Sequence, residues 1–170
     1  MKILETERLI LREIVERDAE FIHDLLNQPS FVKYIGNRNV HSVEAAREFI
    51  ENRYRQSYRE HGFGLYTVEL KENSASIGIC GFVKRETLPD ADIGFAFLPQ
   101  FERKGYAFES AAAVMKYGRD VLNIGRVLAI TTIDNESSGR LLEKLGFRFE
   151  RLIKQPPSDE ELKLFSFEAC

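Results

Sequence analysis

The sequence predicts an α+β fold: a central mixed, mostly antiparallel sheet of about seven strands flanked by about four helices. Three observations carry this expectation. Short apolar or alternating runs between Gly64 and Leu98 are joined by connections of a few residues, which makes an antiparallel meander. Helical patterns starting at Gly105 and Asn135 interrupt the second half. Runs rich in β-branched and aromatic residues, Val127 to Ile133 and Leu162 to Phe167, then return the chain to the sheet.

Taken in order, Leu4 to Arg12 reads as the first strand, alternating apolar and charged near its end. Asp18 can cap a helix that runs to Leu26, with Phe21, Ile22, Leu25 and Leu26 on one face, and Pro29 ends or interrupts it. Ser42 is an N-cap for a second helix, Val43 to about Glu60, with Ala46, Phe49, Ile50 and Tyr54 on one stripe and His61-Gly62 as its stop. Strands follow at Gly64 to Leu70, Ile77 to Val83 and Ala91 to Leu98, separated by polar turns at Lys71 to Ser76 and Arg85 to Asp90. A helix from Gly105 to about Val121 comes next, with Gly118 marking a bend or an early end. After the strand Val127 to Ile133, Asn135 opens a short helix to Leu145 that Gly146 closes. Phe147 to Ile153, the turn Gln155-Pro156-Pro157-Ser158 and the strand Leu162 to Phe167 complete the order β-α-α-β-β-β-α-β-α-β-β.

Composition narrows the class. At 170 residues the chain reads as a single domain, 1–170, long enough for a sizeable core. Its 44% hydrophobic and 30% charged content is that of a globular protein, with no apolar run of membrane-spanning length and no signal-peptide start at Met1-Lys2-Ile3. A net charge of −3 argues against a nucleic-acid-binding surface and suits a cationic partner such as an amine. Cys80 lies in an apolar run and reads as core, while Cys170 is terminal; the two give neither a disulfide framework nor a metal spacing. His23, His41 and His61 are far apart and carry no ligand spacing, so no metal site is expected. The expected compartment is the cytoplasm, and the expected assembly a monomer or homodimer.

The chemistry-bearing stretch is Ala91 to Lys116. It places a buried strand, a polar loop with Arg103, Lys104 and Gly105, and an alanine-rich helix in succession. Free amides and the dipole at a helix N-terminus favour an anion, and a glycine lets backbone approach it closely, so this corner reads as a phosphate or pyrophosphate cradle. A tight turn without a ligand is the competing reading.

Gly105-Tyr106-Ala107 after that strand resembles motif A of the GNAT acetyltransferases, (Q/R)-x-x-G-x-(G/A). Asn135-Glu136-Ser137-Ser138 followed by Leu145-Gly146-Phe147 is similar to the N-x-x-S and LGF signature of the same superfamily, and Thr6-Glu7-Arg8-Leu9-Ile10-Leu11-Arg12 to the opening of its RimJ/RimL-like branch. The chain departs from the pattern where Glu102 takes the Gln/Arg position and Arg103 the glycine common after it in that branch.

The resemblance implies an acetyl-CoA-dependent N-acetyltransferase, acting on a protein N-terminus, a polyamine or another small amine. It places the pyrophosphate on the amides of Arg103, Lys104, Gly105, Tyr106, Ala107 and Phe108. It places the pantetheine arm along Ala96, Phe97 and Leu98, with one N–H facing the thioester oxygen, and beside Asn135. Strands must part to free that edge, and Gly94 is read either as the bulge that starts the parting or as close packing within the sheet. Asp92 is the candidate base, working through a water because aspartate is short; a solvated strand-end carboxylate is the alternative, and Asp159, Glu160 and Glu161 are the other acidic candidates. Ser138 is the candidate acid toward the departing sulfur, against a plain first-turn serine. Asn135 is alternatively just an N-cap, and Tyr106 reads as packing. The segment 29–62 is expected to wall the acceptor site. A non-catalytic acyl-CoA sensor on the same fold, and an enzyme using another acyl-CoA, are the rival readings.

Overall fold

The computed structural model describes residues 1–169, so the expectation for Cys170 lies outside the described residues. Eight strands form one sheet: β1 (Lys2–Glu5), β2 (Leu9–Glu13), β3 (Leu65–Leu70), β4 (Ser76–Val83), β5 (Asp92–Phe97), β6 (Arg126–Thr132), β7 (Arg148–Lys154) and β8 (Glu161–Glu168). Their order is β1-β2-β3-β4-β5-β6-β8-β7, and every neighbouring pair is antiparallel except β5 and β6. The α+β, mostly antiparallel architecture is as expected. The eighth strand arises because the single expected strand from Leu4 to Arg12 is a hairpin: Thr6 N–H donates to Leu9 C=O at 2.9 Å and the chain reverses.

The helices lie on both faces. One face carries α1 (Ala19–Leu26), α2 (Pro29–Tyr34) and a helical run from α3 (Val43–Phe49) through a π-helical segment (Ile50–Arg55) into α4 (Gln56–His61). Their apolar stripe, including Ile22, Leu25, Ala46, Ile50 and Tyr54, packs on Ile79 and Leu98 of the sheet side. The other face carries α5 (Tyr106–Asp120) and α6 (Glu136–Lys144), whose Ala111, Val114 and Leu142 join Leu11, Val68, Phe82, Ile93 and Phe97 in the larger core.

Local chemistry explains the boundaries. Ser42 caps α3 as expected, its hydroxyl accepting from Ala45 N–H at 3.0 Å. Gly62 closes α4 at φ +76, and Gly146 follows α6 at φ +101. Two expectations need correcting. Pro29 does not merely stop α1; it opens α2 at the first helical position, where its missing N–H is no loss. Gly118 does not end α5, which runs on to Asp120; a Cβ there would sit 2.5 Å from the Phe82 ring, so the glycine lets helix and sheet approach.

Asp18 also plays a different part from the expected cap. Its carboxylate caps nothing in α1. It accepts both Arg12 Nη1 and Nη2 at 2.8 Å and Val15 N–H at 2.8 Å, while Arg12 Nε donates to Glu69 at 2.8 Å. Arg12 and Asp18 are both buried, so this fork ties β2 to the start of α1 and to β3.

Candidate active site

Parallel strands β5 and β6 share a single register pair, Asp92 with Leu128. Beyond it the strands part, and β5 keeps only β4 as a neighbour. The β4–β5 register is continuous from Gly78–Phe97 to Val83–Asp92, so Gly94 is no bulge; the wedge comes from β6 turning away. Leu98 N–H donates to Ile77 C=O at 2.9 Å on the β4 side, and Leu128 N–H reaches Ala91 C=O at 2.9 Å on the β6 side. Strand alternation therefore turns the N–H and C=O of Phe95 and Phe97 into the wedge, and those of Ala96 and Leu98 toward β4. Of the three residues expected to offer backbone to a pantetheine arm, Phe97 alone presents its groups to the open side.

The loop at the mouth of the wedge is built around two left-handed residues, Arg103 at φ +61 and Gly105 at φ +83. The N–H groups of Arg103, Lys104, Gly105, Tyr106, Ala107 and Phe108 have no protein acceptor among the described residues. Six free amides at the start of a helix of 15 residues fit a pyrophosphate. Arg103 holds a backbone geometry that the glycine common in this branch adopts without strain.

The opening segment braces this loop, a role sequence reasoning missed. Arg8 donates from Nη1 to Lys104 C=O at 3.0 Å and from Nε to Glu109 at 2.7 Å, and its guanidinium stands 4.4 Å from the Tyr106 ring centre. Thr6 donates to the second Glu109 oxygen, which Arg8 N–H also reaches at 3.0 Å. Partial burial works to raise the Glu109 pKa, but the hydrogen bonds from Thr6 and Arg8 outweigh it and hold the carboxylate below its ordinary range. Tyr106 is a packing residue under Arg8.

Because Gly105 lies at φ +83 and a Cβ there would stand 3.2 Å from Arg8 Nη2, Gly105→Val should deform the cradle. We expect acetyl-CoA to bind about tenfold or more weakly, read as a lost thermal shift on acetyl-CoA addition with the unliganded fold retained.

The C-terminal end of β6 opens on the same mouth, as parallel strands require. There Asn135 caps α6, its side-chain oxygen accepting from Ser138 N–H at 3.2 Å. The cap expectation for Asn135 is met, and its amide nitrogen keeps two donors without a described partner. The Ser138 hydroxyl is half-buried and has no hydrogen-bond partner among the described residues. Thr131 and Thr132 precede it with buried, unpartnered hydroxyls. Two threonines ending a β-branched strand just before Asn135 are the sequence signal that could have found them.

Asp92 stands apart from these groups, at the closed base of the wedge. Five residues of strand separate it from Phe97, about 17 Å. It is 1% exposed, not a solvated strand end. Arg85 Nε donates to it at 3.0 Å from across the β4–β5 hairpin. Burial pushes its pKa up to about 6, against the opposing pull of Arg85. Asp92, Gly94 and Ala96 share the strand face directed at α1 and α3, opposite Ile93, Phe95 and Phe97 on the α5 face. Asp159, Glu160 and Glu161 instead line, with Ile133, Asp134 and Lys154, an exposed cavity of about 440 Å³ near the end of β6.

Cys80 is fully buried in β4 and its thiol is pushed up to about 12 by burial, which makes it an inert core residue. Among the described residues no helix is long and apolar enough to cross a membrane, and no group of three or more His, Cys, Asp or Glu side chains could hold a metal ion.

A sheet parted between two parallel strands, with a free-amide loop at its mouth, offers an open strand edge that leads to an anion-binding corner. The sequence profile of the acetyltransferase (GNAT) domain matches residues 8–148, and the chain belongs to that family. It is an acetyltransferase enzyme whose co-substrate is acetyl-CoA. Among its relatives is an uncharacterized N-acetyltransferase, YoaA of Bacillus subtilis, 35% identical over 154 residues, covering 90% of this chain and 86% of the relative. The ribosomal branch suggested by the opening motif is represented by the ribosomal protein uS5-alanine N-acetyltransferase of Escherichia coli, 28% identical over 89% of this chain and 80% of that protein. The crystal structure of a GNAT-family acetyltransferase from Bacillus anthracis superposes with a TM-score of 0.81 at 27% identity, covering 99% of this chain and 98% of that one.

Proposed function

We propose that this acetyltransferase, a single-domain cytoplasmic enzyme, moves the acetyl group of acetyl-CoA directly onto a primary amine, either a protein N-terminus or a small amine. The observation that carries the reading is the free β5 edge ending at six unpaired loop amides. The loop from Arg103 to Phe108 holds the pyrophosphate. Phe97 offers its backbone to the pantetheine arm, as a peptide-like strand pairs with a sheet edge, and its N–H faces the oxygen where charge develops. The Asn135 amide nitrogen reads the same arm.

Asp92 takes a proton from the ammonium form of the amine through a relay of several waters, because about 17 Å of strand lies between it and the Phe97 N–H. The new bond joins the amine nitrogen to the acetyl carbon, the carbon–sulfur bond breaks, and the second proton shed by the nitrogen passes through the Ser138 hydroxyl to the departing sulfur, which leaves the serine as it began. Cys80 cannot serve as an acyl-carrying nucleophile, so attack is direct. Asp92 is preferred because it is buried and its carboxyl is pushed up to about 6, whereas Asp159, Glu160 and Glu161 are exposed.

The test is release of free CoA from acetyl-CoA with a panel of amines and N-terminal peptides. Turnover with one class establishes the reaction; acetyl-CoA binding without release for any amine favours a sensor of acyl-CoA on the same fold. For Ser138→Ala we expect turnover to slow by roughly tenfold to a hundredfold with acetyl-CoA affinity kept. Turnover equal to the unaltered enzyme removes Ser138 from the mechanism.

A further inference from the structure

Val127 and Ala129 of β6 point into the core under α5 and α6, so strand alternation turns Leu128 to the opposite face. There the strands β6, β8 and β7 build a small core of their own. Buried Leu128 and Leu164 pack with Leu88, which the β4–β5 connection folds over them, and half-buried Ile130 and Ile153 flank the three. No helical residue joins this cluster. Between the connection and the strands lies a cavity of about 240 Å³, with Leu88, Leu128, Ile153 and Leu164 among its lining. The Thr87 hydroxyl donates to the side-chain oxygen of Gln155 and ties the connection to the end of β7, and Lys84 Nζ braces it by donating to Leu88 C=O at 3.2 Å.

The charged residues of the lining are all cations: Arg126, Arg151 and Lys154. Arg126 Nε is buried and makes no hydrogen bond. Its ion pairs, Nη1 to Asp90 at 3.4 Å and Nε to Glu168 at 3.6 Å, are both longer than a charge-assisted hydrogen bond of about 2.8 Å. Arg151 is exposed and has no ion pair or hydrogen bond among the described residues, because the adjoining Glu150 accepts from the Ser166 hydroxyl instead. The exposed cavity of about 440 Å³ shares Lys154 with this one but is otherwise charged by Asp134, Asp159, Glu160 and Glu161, so the two cavities select opposite charges.

We infer that the cavity beneath the β4–β5 connection is an accessory site for a small carboxylate with an apolar body of one ring or one short branched chain. The leucine floor takes the body, and the arginine forks at the rim take the carboxylate with the directional pairing that a guanidinium offers. Size sets the limit: a cavity of roughly 150 Å³ holds benzene, and drug-sized ligands fill about 300 to 1,000 Å³, so 240 Å³ suits a monocyclic or branched acid and excludes a nucleotide. The occupant touches the β4–β5 connection on one side and β7 on the other. This site adds to the N-acetyltransferase reading and does not depend on it.

The test is titration of the full chain with benzoate and with isovalerate, followed by calorimetry and by amide NMR. Benzyl alcohol supplies the body without the charge, and inorganic phosphate the charge without the body. We expect one of the two carboxylates to bind with a Kd at or below about 1 mM, and both controls at least about tenfold more weakly. The amide shifts should centre on Thr87, Leu88, Arg151 and Leu164. Absence of saturable shifts with either carboxylate, or benzyl alcohol or phosphate binding as well as the acid, overturns the inference. Shifts centred on Arg103 to Phe108 overturn it too, since they would place the anion on the free loop amides.

Two variants separate recognition from overall charge. Arg151→Gln alters an exposed side chain and should leave the melting temperature nearly unchanged while weakening the carboxylate about fivefold or more. Arg148→Gln removes the same charge from the same strand outside the cavity lining and should bind as the unaltered protein does. Equal losses in both variants, or none in Arg151→Gln, would show that the rim does not recognise the acid.

Discussion

Asp92→Asn should cut kcat/KM by about a hundredfold and at the same time stabilise the protein at neutral pH. The two effects have one origin. Burial raises the Asp92 pKa from the ordinary 3.8 to about 6. An aspartate whose folded pKa lies above its unfolded one carries no penalty below pH 3.8, where both states are neutral. The penalty grows between the two pKa values and is complete above pH 6, where the folded protein must hold a charge that solvent holds more cheaply. The shift corresponds to roughly 2 to 3 kcal/mol. The asparagine variant should therefore melt higher at pH 8 and no higher near pH 4. Its rate profile should also lose the rise through pH 6 that deprotonation of Asp92 gives the unaltered enzyme. A variant that keeps that rise and its turnover would show that the base lies elsewhere, with the carboxylates from Asp159 to Glu161 next in line.

Arg12→Met should cost about 3 to 5 kcal/mol of stability, because it strands Asp18 without its two-pronged partner in a buried setting. Against a typical margin of about 5 to 15 kcal/mol, that is enough to leave part of the chain unfolded near body temperature. The loss is read as a lowered urea midpoint. Combining it with Asp18→Leu should recover part of the loss, since the second change removes the orphaned charge. A single variant within 0.5 kcal/mol of the unaltered protein would mean that water solvates Asp18 and that the fork carries little.

Much of the architecture was legible because it is local. Ser42 caps α3 through a hydroxyl three residues ahead of its donor, and Gly62 and Gly146 fall where the backbone turns left-handed. The loop at Gly105 could be read as a cradle because strand, glycine and helix are contiguous. Pairings across distance were not legible. Nothing near Arg8 says that its partners are Lys104 and Glu109, which lie about a hundred positions on. The hairpin at Thr6 was missed because Leu4 to Arg12 carries no glycine or proline, and the turn is closed by a single backbone bond. Of the two readings of Gly94, the bulge fails because the freedom of the β5 edge comes from β6 diverging, while close packing stands, a Cβ there meeting Leu65 at 3.3 Å. Arg85 is the instructive case: it sits seven residues before Asp92, across a hairpin already foreseen, so its ion pair could have been read from the register Val83–Asp92.

The one rung between Asp92 and Leu128 divides the sheet into five strands on one side and three on the other. Such a joint is a mechanical seam. Each half has its own hydrogen-bonded neighbours, and beside that rung side-chain packing and a few polar contacts from the β4–β5 connection, Asp90 with Arg126 and Thr87 with Gln155, hold them in line. On the proposed reading, a bound acetyl-CoA arm lies in the seam and laces the halves together. The amides of Phe95 and Phe97 should then exchange with solvent quickly in the bare protein and slowly in the loaded one. The endurance of the chain against proteolysis should follow the supply of its own substrate.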